Sequence, residues 1–199
     1  SDVYKRQLSL LILPAWALAG YAGVTVFMAL LAALLAREVR AWAAELTGRE
    51  ALGEAAGWLL VLSPPLAHYA GLVFTEVPAA LAVAYGLRRA RAASLGWRGA
   101  LGVGIAVAVL PWLNVRYAPL ALLVLGHAVW CHRRLVATLA APLLASVAAL
   151  GWYHHALYGF WDPRRVYGRR PELALATLGE GLPGLFLDQE FGLLVYAPV

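Results

Sequence analysis

The sequence predicts an all-α fold: a polytopic transmembrane helical bundle with six spans and the start of a seventh. Three observations carry this. The chain is 62% hydrophobic and only 14% charged, whereas a soluble domain carries roughly 25% charged residues. The run from Leu8 to Ala36 holds no charge, and it exceeds the ~20 apolar residues that cross a bilayer. The arginines also alternate. Arg37, Arg40 and Arg49 follow the first apolar stretch, Arg88, Arg89, Arg91 and Arg98 the third, and Arg133 and Arg134 the fifth. The short gaps between these hold Arg116 alone. Arginine gathers on the cytoplasmic side of membrane proteins. The alternation therefore counts the spans and orients them, with the Arg-rich loops inside and Glu76, Arg116 and the segment Asp188-Gln189-Glu190 outside. The net charge of +5 is then a topology signal, and no nucleic-acid partner is expected.

Each element follows in turn. Helix A, Leu8 to Ala36, runs inward, and Pro14 and Gly20 predict a bent or re-entrant lead-in. Residues 1–7, SDVYKRQ, join it abruptly and are expected to be a non-native leader. Residues 8–199 form one transmembrane domain, expected to be a fragment of a larger protein. The linker Arg37 to Glu54 predicts an amphipathic interfacial helix with a Glu45–Arg49 pair at i,i+4. Helix B, Ala55 to Phe74, runs outward, and Ser63-Pro64-Pro65 must break it because two prolines remove backbone donors. Helix C starts after Thr75-Glu76-Val77, with Pro78 in its first turn. Its apolar part is short, so Arg88, Arg89 and Arg91 must snorkel. Helix D, Gly99 to Leu113, is rich in small residues that permit close packing. Asn114 to Tyr117 forms an outer turn. Helix E runs from Ala118 to Cys131, and Cys131 reads as a buried, inert thiol. Helix F is Leu135 to Tyr153. A long outer loop, residues 154–190, follows, and helix G begins near Phe191.

The outward-facing polar residues are the candidates for chemistry. Glu76 sits between two apolar helices, where a carboxylate is costly unless paired, hydrated or metal-bound. Two readings stand: a partner of the helix C dipole, or an acid in an outward-facing polar cavity. Arg116 breaks the charge rule. It reads either as an ion-pair partner of an outer acid or as a clamp on a phosphate, to which its planar fork is suited. Trp112, Asn114 and Tyr117 surround it with groups that suit a sugar phosphate and equally suit an interfacial belt. Asp188 and Glu190 read as helix-terminal acids or as a second carboxylate arm. The end of helix F and the outer loop carry Trp152, Tyr153, His154, His155, Tyr158 and Trp161, which predict interfacial anchoring. Its Arg164 and Arg165 are suited to lipid phosphate. The residues admit a divalent cation without specifying one. No Gly-rich phosphate loop, nucleophile elbow, HExxH or dinucleotide fingerprint occurs.

Three segments, FTEVPAAL (74–81), LPWLNVRYAPLALL (110–123) and GLFLDQEFGLLVYAPV (184–199), resemble the GT-C superfamily of polytopic membrane glycosyltransferases. Within it they are most similar to the bacterial protein mannosyltransferase and lipid A aminoarabinose transferase class. The resemblance covers most of positions 8–199. It implies a polyprenyl-phosphate sugar donor bound in the bacterial inner membrane, and inverting transfer to an acceptor at the outer face. It further implies catalytic roles for Glu76 and Asp188, with Glu190 beside them. Donor or phosphate binding falls to Asn114, Arg116, Tyr117, Arg164 and Arg165. The family's principal catalytic Asp lies in a loop after the first membrane helix. Helix A resembles the second helix of such a protein, so that loop would precede this sequence. The rival expectations are a transporter or flippase, favoured by the Ser63-Pro64-Pro65 break, and a non-catalytic membrane assembly protein.

Overall fold

The structure, a computed structural model, describes residues 3–161. The expectations for Arg164, Arg165, Asp188, Glu190, the remainder of the outer loop and helix G lie outside the described residues. The chain divides into two compact units, Ser1–Val166 and Tyr167–Val199, and the described residues belong to the first.

Among the described residues there is no strand. Seven α-helices succeed one another: α1 (Val3–Thr47), α2 (Glu50–Leu62), α3 (Pro64–Tyr69), α4 (Glu76–Ala90), α5 (Trp97–Leu113), α6 (Ala118–Cys131) and α7 (Val136–Tyr158). Short 3-10 turns at Val115–Tyr117 and Arg133–Leu135 join α5 to α6 and α6 to α7. Two helical stretches are long and apolar enough to cross a membrane, Leu11–Thr47 and Arg133–Tyr158; Trp97–Leu113 and Val115–Cys131 are apolar but shorter.

The predicted bend in the first helix is a full break. Ala19 (φ −148°, ψ 24°) and Gly20 (φ 59°, ψ −142°) leave helical geometry and divide α1 into two arms. The positive φ at position 20 is one that only glycine adopts without strain. Gly23 sits so close to the first arm that a Cβ there would collide with the Ala15 carbonyl. The first arm then packs into the bundle. Its Leu8 is buried with Val103, Val107 and Leu110 of α5 and Leu139 of α7.

The linker corrects a second expectation. Arg37 to Thr47 is not a separate interfacial helix but the continuation of α1. It ends at Gly48, whose positive φ of 66° and N–H bond to the Ala44 carbonyl form a left-handed cap. The chain reverses there, and α2 packs back on α1. Gly53 and Gly57, four residues apart, permit this approach. A Cβ on Gly53 would lie 2.8 Å from the Ala44 Cβ, and one on Gly57 would lie 3.2 Å from the Arg40 Cβ. Small residues at this spacing let two helix backbones come close.

The proline break falls where it was expected. α2 stops at Leu62, and Ser63 (φ −65°, ψ 136°) donates from Oγ to the Leu60 carbonyl at 2.6 Å. Pro64 then opens the short α3. The last of these helices is longer than expected. α7 runs to Tyr158 and closes on Gly159 (φ 76°), so His154 to Tyr158 are helical and not part of a loop.

Two apolar clusters hold the bundle. One joins α4, α5, α6 and α7 through Val103, Val107, Leu110, Val124, Ala128 and Leu139. The other joins the second arm of α1 to α3 and α4 through Val24, Met28, Leu35, Leu66 and Val77. Much of the outer surface is also apolar: Leu18, Trp58, Leu62, Leu123, Trp130 and Leu144 are each exposed by more than 60%.

Candidate functional site

The tips of two helical hairpins meet at one end of the bundle. The first tip is the turn into α4. Thr75 caps that helix, its carbonyl accepting from the Ala79 N–H at 3.0 Å. Glu76 is the first helical residue and is exposed, while Val77 and Pro78 behind it are buried. The carboxylate therefore sits at the positive end of the α4 dipole, a stabilising place for an acidic side chain.

The second tip is built by Asn114. Its extended backbone (φ −161°, ψ 133°) ends α5, and its side-chain Oδ1 accepts from the Arg116 N–H at 3.0 Å. Its own carbonyl accepts from the Tyr117 N–H at 2.9 Å. This local pairing, typical of asparagine in turns, fixes Arg116 and Tyr117. Arg116 is exposed and engaged in an interaction of its own. Tyr117 is half-buried, and its hydroxyl lies 3.2 Å from Thr75 Oγ1. That hydrogen bond joins the two tips and places the neighbouring residues Glu76 and Arg116 at the same end. Of the predicted donor-binding set, Asn114 thus has its Oδ1 committed to shaping the turn.

An apolar groove of about 580 Å3 opens below the second tip, between α5 and α7. Leu11 of the first arm, Ile105, Trp112, Pro142, Ser146 and Ala149 line it. Ser146 hides its hydroxyl by donating to the Ala108 carbonyl at 2.6 Å. Trp112, two residues from Asn114, is one of the lining side chains, and its ring lies 5.8 Å from that of Tyr153.

His154 is the histidine that the sequence does not distinguish from its neighbour. It is 1% exposed, donates from Nδ1 to the Leu150 carbonyl at 2.9 Å, and lies between the rings of Tyr153 and Tyr158. His155 instead turns outward onto Trp161, with ring centroids 4.5 Å apart. His154 is thus a buried, hydrogen-bonded side chain, while His155 and Trp161 are exposed. Among the described residues, no three His, Cys, Asp or Glu side chains are grouped to hold a metal ion. Cys131 corrects another expectation: it is exposed, with Sγ 3.9 Å from His127 Nε2.

The arginine-bearing gaps meet at the other end. Arg88 of α4 donates from Nε to Glu38 and from Nη1 to Glu45, both at 2.7 Å. Glu38 and Arg88 have side chains only 9% and 16% exposed. Glu45 thus pairs with Arg88 and not with Arg49 as expected. His132 at the end of α6 donates from Nε2 to the Ala90 carbonyl at 2.9 Å, tying α6 to α4. The spacing of Glu38 and Glu45, seven residues apart, is the sequence signal for this pair, since it puts both on one helix face.

Compared with family models, with curated proteins and with solved structures, the chain finds no match in any of the three.

Proposed function

We propose that this chain belongs to a polytopic glycosyltransferase of the inner membrane of bacteria, which moves a sugar from a polyprenyl-phosphate donor to an acceptor at the outer face. In this reading the helices form six spans and a seventh begins beyond them. The arginine-bearing ends lie in the cytoplasm. The exposed apolar shell faces lipid, and the shorter helices reach across with snorkelling ends.

The observation that carries the proposal is the Thr75–Tyr117 hydrogen bond. It joins an acid-bearing turn and an arginine-bearing turn at one end of the bundle, and Trp112 and Leu113, just before the second turn, line an apolar groove. A polyprenyl-phosphate needs that combination: an apolar slot for its chain, a cation for its phosphate and a carboxylate near the acceptor. Glu76 then acts as general base on the acceptor hydroxyl or amine. Arg116 binds the donor phosphate, whose charge grows as the sugar leaves, with Tyr117 and Asn114 holding the turn. Asp188 and Glu190 are proposed as a second acidic arm, and Arg164 and Arg165 as further phosphate contacts. A divalent cation is compatible with this chemistry and not demanded by it.

The test is sugar transfer from a radiolabelled polyprenyl-phosphate sugar, in membrane vesicles, by the full-length protein of which this chain is proposed to be part. Glu76→Gln is expected to lower the rate by about 10²–10⁴-fold, the range of a lost general base, with unchanged expression and thermal unfolding. Wild-type rates in both Glu76→Gln and Arg116→Gln would remove the proposal.

A transporter or flippase is the second reading, favoured by the breaks at Ala19-Gly20 and at Ser63, since discontinuous helices line transporter sites. Donor translocation by reconstituted vesicles without sugar transfer would select it.

A further inference from the structure

A second groove shares Leu11 and Val109 with the first and runs along α5 as far as Glu38, toward the arginine-bearing end. It measures about 360 Å3 and lies between both arms of α1, α4 and α5. Leu31, Leu34, Ala82, Tyr85, Ala106 and Val109 line it, and all but Tyr85 are wholly apolar. Its acid, Glu38, is already held by Arg88 at 2.7 Å.

Helix register continues this groove into a cationic end. Tyr85 abuts α5 at Gly102, where a Cβ would sit 2.7 Å from the tyrosine hydroxyl oxygen. Arg89 lies one turn beyond Tyr85 on α4, and Arg98 lies one turn before Gly102 on α5. The two helices are antiparallel neighbours, so both arginines leave the groove at the same end. Arg89 Nε is buried and has no hydrogen-bond partner. A buried guanidinium N–H without a partner costs free energy that an anion would restore. Arg98 is exposed and lies over the Trp97 ring at 5.2 Å.

We infer that this groove holds an anionic phospholipid, with an acyl chain along Leu31, Ala82 and Ala106 and its phosphate between Arg89 and Arg98. Charge complementarity selects the occupant: an apolar slot alone would take any lipid, and the paired arginines favour an acidic headgroup. The inference requires the membrane placement of the helices but not sugar transfer, because the arginines that would hold the phosphate lie at the end away from Glu76 and Arg116.

The test is lipid retention by the full chain, purified in detergent and offered phosphatidylglycerol or phosphatidylcholine, read by native mass spectrometry. Wild type is expected to retain phosphatidylglycerol preferentially. Arg89→Gln with Arg98→Gln should lower that retention by about five-fold for each arginine and leave phosphatidylcholine unchanged. Arg134→Gln, an exposed arginine of the α6–α7 turn, should have no effect. Ala106→Phe fills the slot while leaving both arginines, and should lower retention of both lipids. Equal retention of the two lipids by wild type overturns the inference. So does unchanged phosphatidylglycerol retention in either the double arginine variant or Ala106→Phe, whichever folds. Sugar transfer is not read, so loss of the transferase proposal leaves this result standing.

Discussion

Arg88 sets the strongest single-residue expectation. It is the shared partner of Glu38 and Glu45, and Glu38 is nearly out of water. Arg88→Met would leave a buried carboxylate unpaired, which typically costs about 3–5 kcal/mol. Thermal unfolding in detergent should show that loss. Arg40→Ala should change stability by less than about 1 kcal/mol, because Arg40 and its partners Glu50 and Glu54 are all at least 44% exposed. Tyr117→Phe removes only the bond to Thr75 and should cost about 1 kcal/mol. Its effect on sugar transfer should exceed its effect on stability, because that bond sets the spacing of the two tips. At this scale the sequence is partly legible. Asn114 and Tyr117 stand out as polar residues in a short gap between apolar helices, and they do shape the tip. The Arg88 pairing was hidden because i,i+4 logic favours Glu45 with Arg49. A partner on α4 with a fixed fork outweighs that local pair once the helices pack.

Among the elements, α1 depends on its glycines for different reasons. Gly20 supplies a backbone conformation, and Gly23 supplies space beside the Ala15 carbonyl. Gly20→Val and Gly23→Leu should both detach the first arm, exposing the face that Leu8 buries. A new protease cut between residues 8 and 20, at unchanged α5 to α7 protection, would register this. Gly53→Leu should separate α2 from α1 and destabilise by at least the 1–3 kcal/mol of an overpacked core. Breaks were readable in advance because Pro64, Pro65 and Gly20 carry their backbone restrictions with them. The return of the first arm onto α5 was not, since an all-apolar helix carries no periodic face to show its partner. The extension of α1 through Thr47 was missed for a related reason: charged residues read as a membrane boundary, yet Glu38 and Arg40 continue the helix by pairing with α4 and α2.

For the whole molecule, the arginine alternation predicts two ends of opposite character. Contacts place α1 with α4 and α4 with α6 at the arginine-bearing end, and Thr75 with Tyr117 at the other. Cys131 offers a native reporter of sidedness, being exposed at the arginine-bearing end. A membrane-impermeant maleimide should label it in inverted vesicles and not in right-side-out ones. Glu76→Cys in a Cys131→Ser background should give the reverse, and labelling of both from one side would refute the topology. What composition could not supply is the meeting of the two turns that carry Glu76 and Arg116, 40 positions apart in the chain, since only the packing of α4 against α5 and α6 brings Thr75 to Tyr117. That convergence is the central claim, and a double-mutant cycle on sugar transfer tests it most directly. If Glu76 and Arg116 serve one site, Glu76→Gln with Arg116→Gln should be little slower than the slower single variant. Losses that simply multiply, or a single variant that transfers at the wild-type rate, would contradict it.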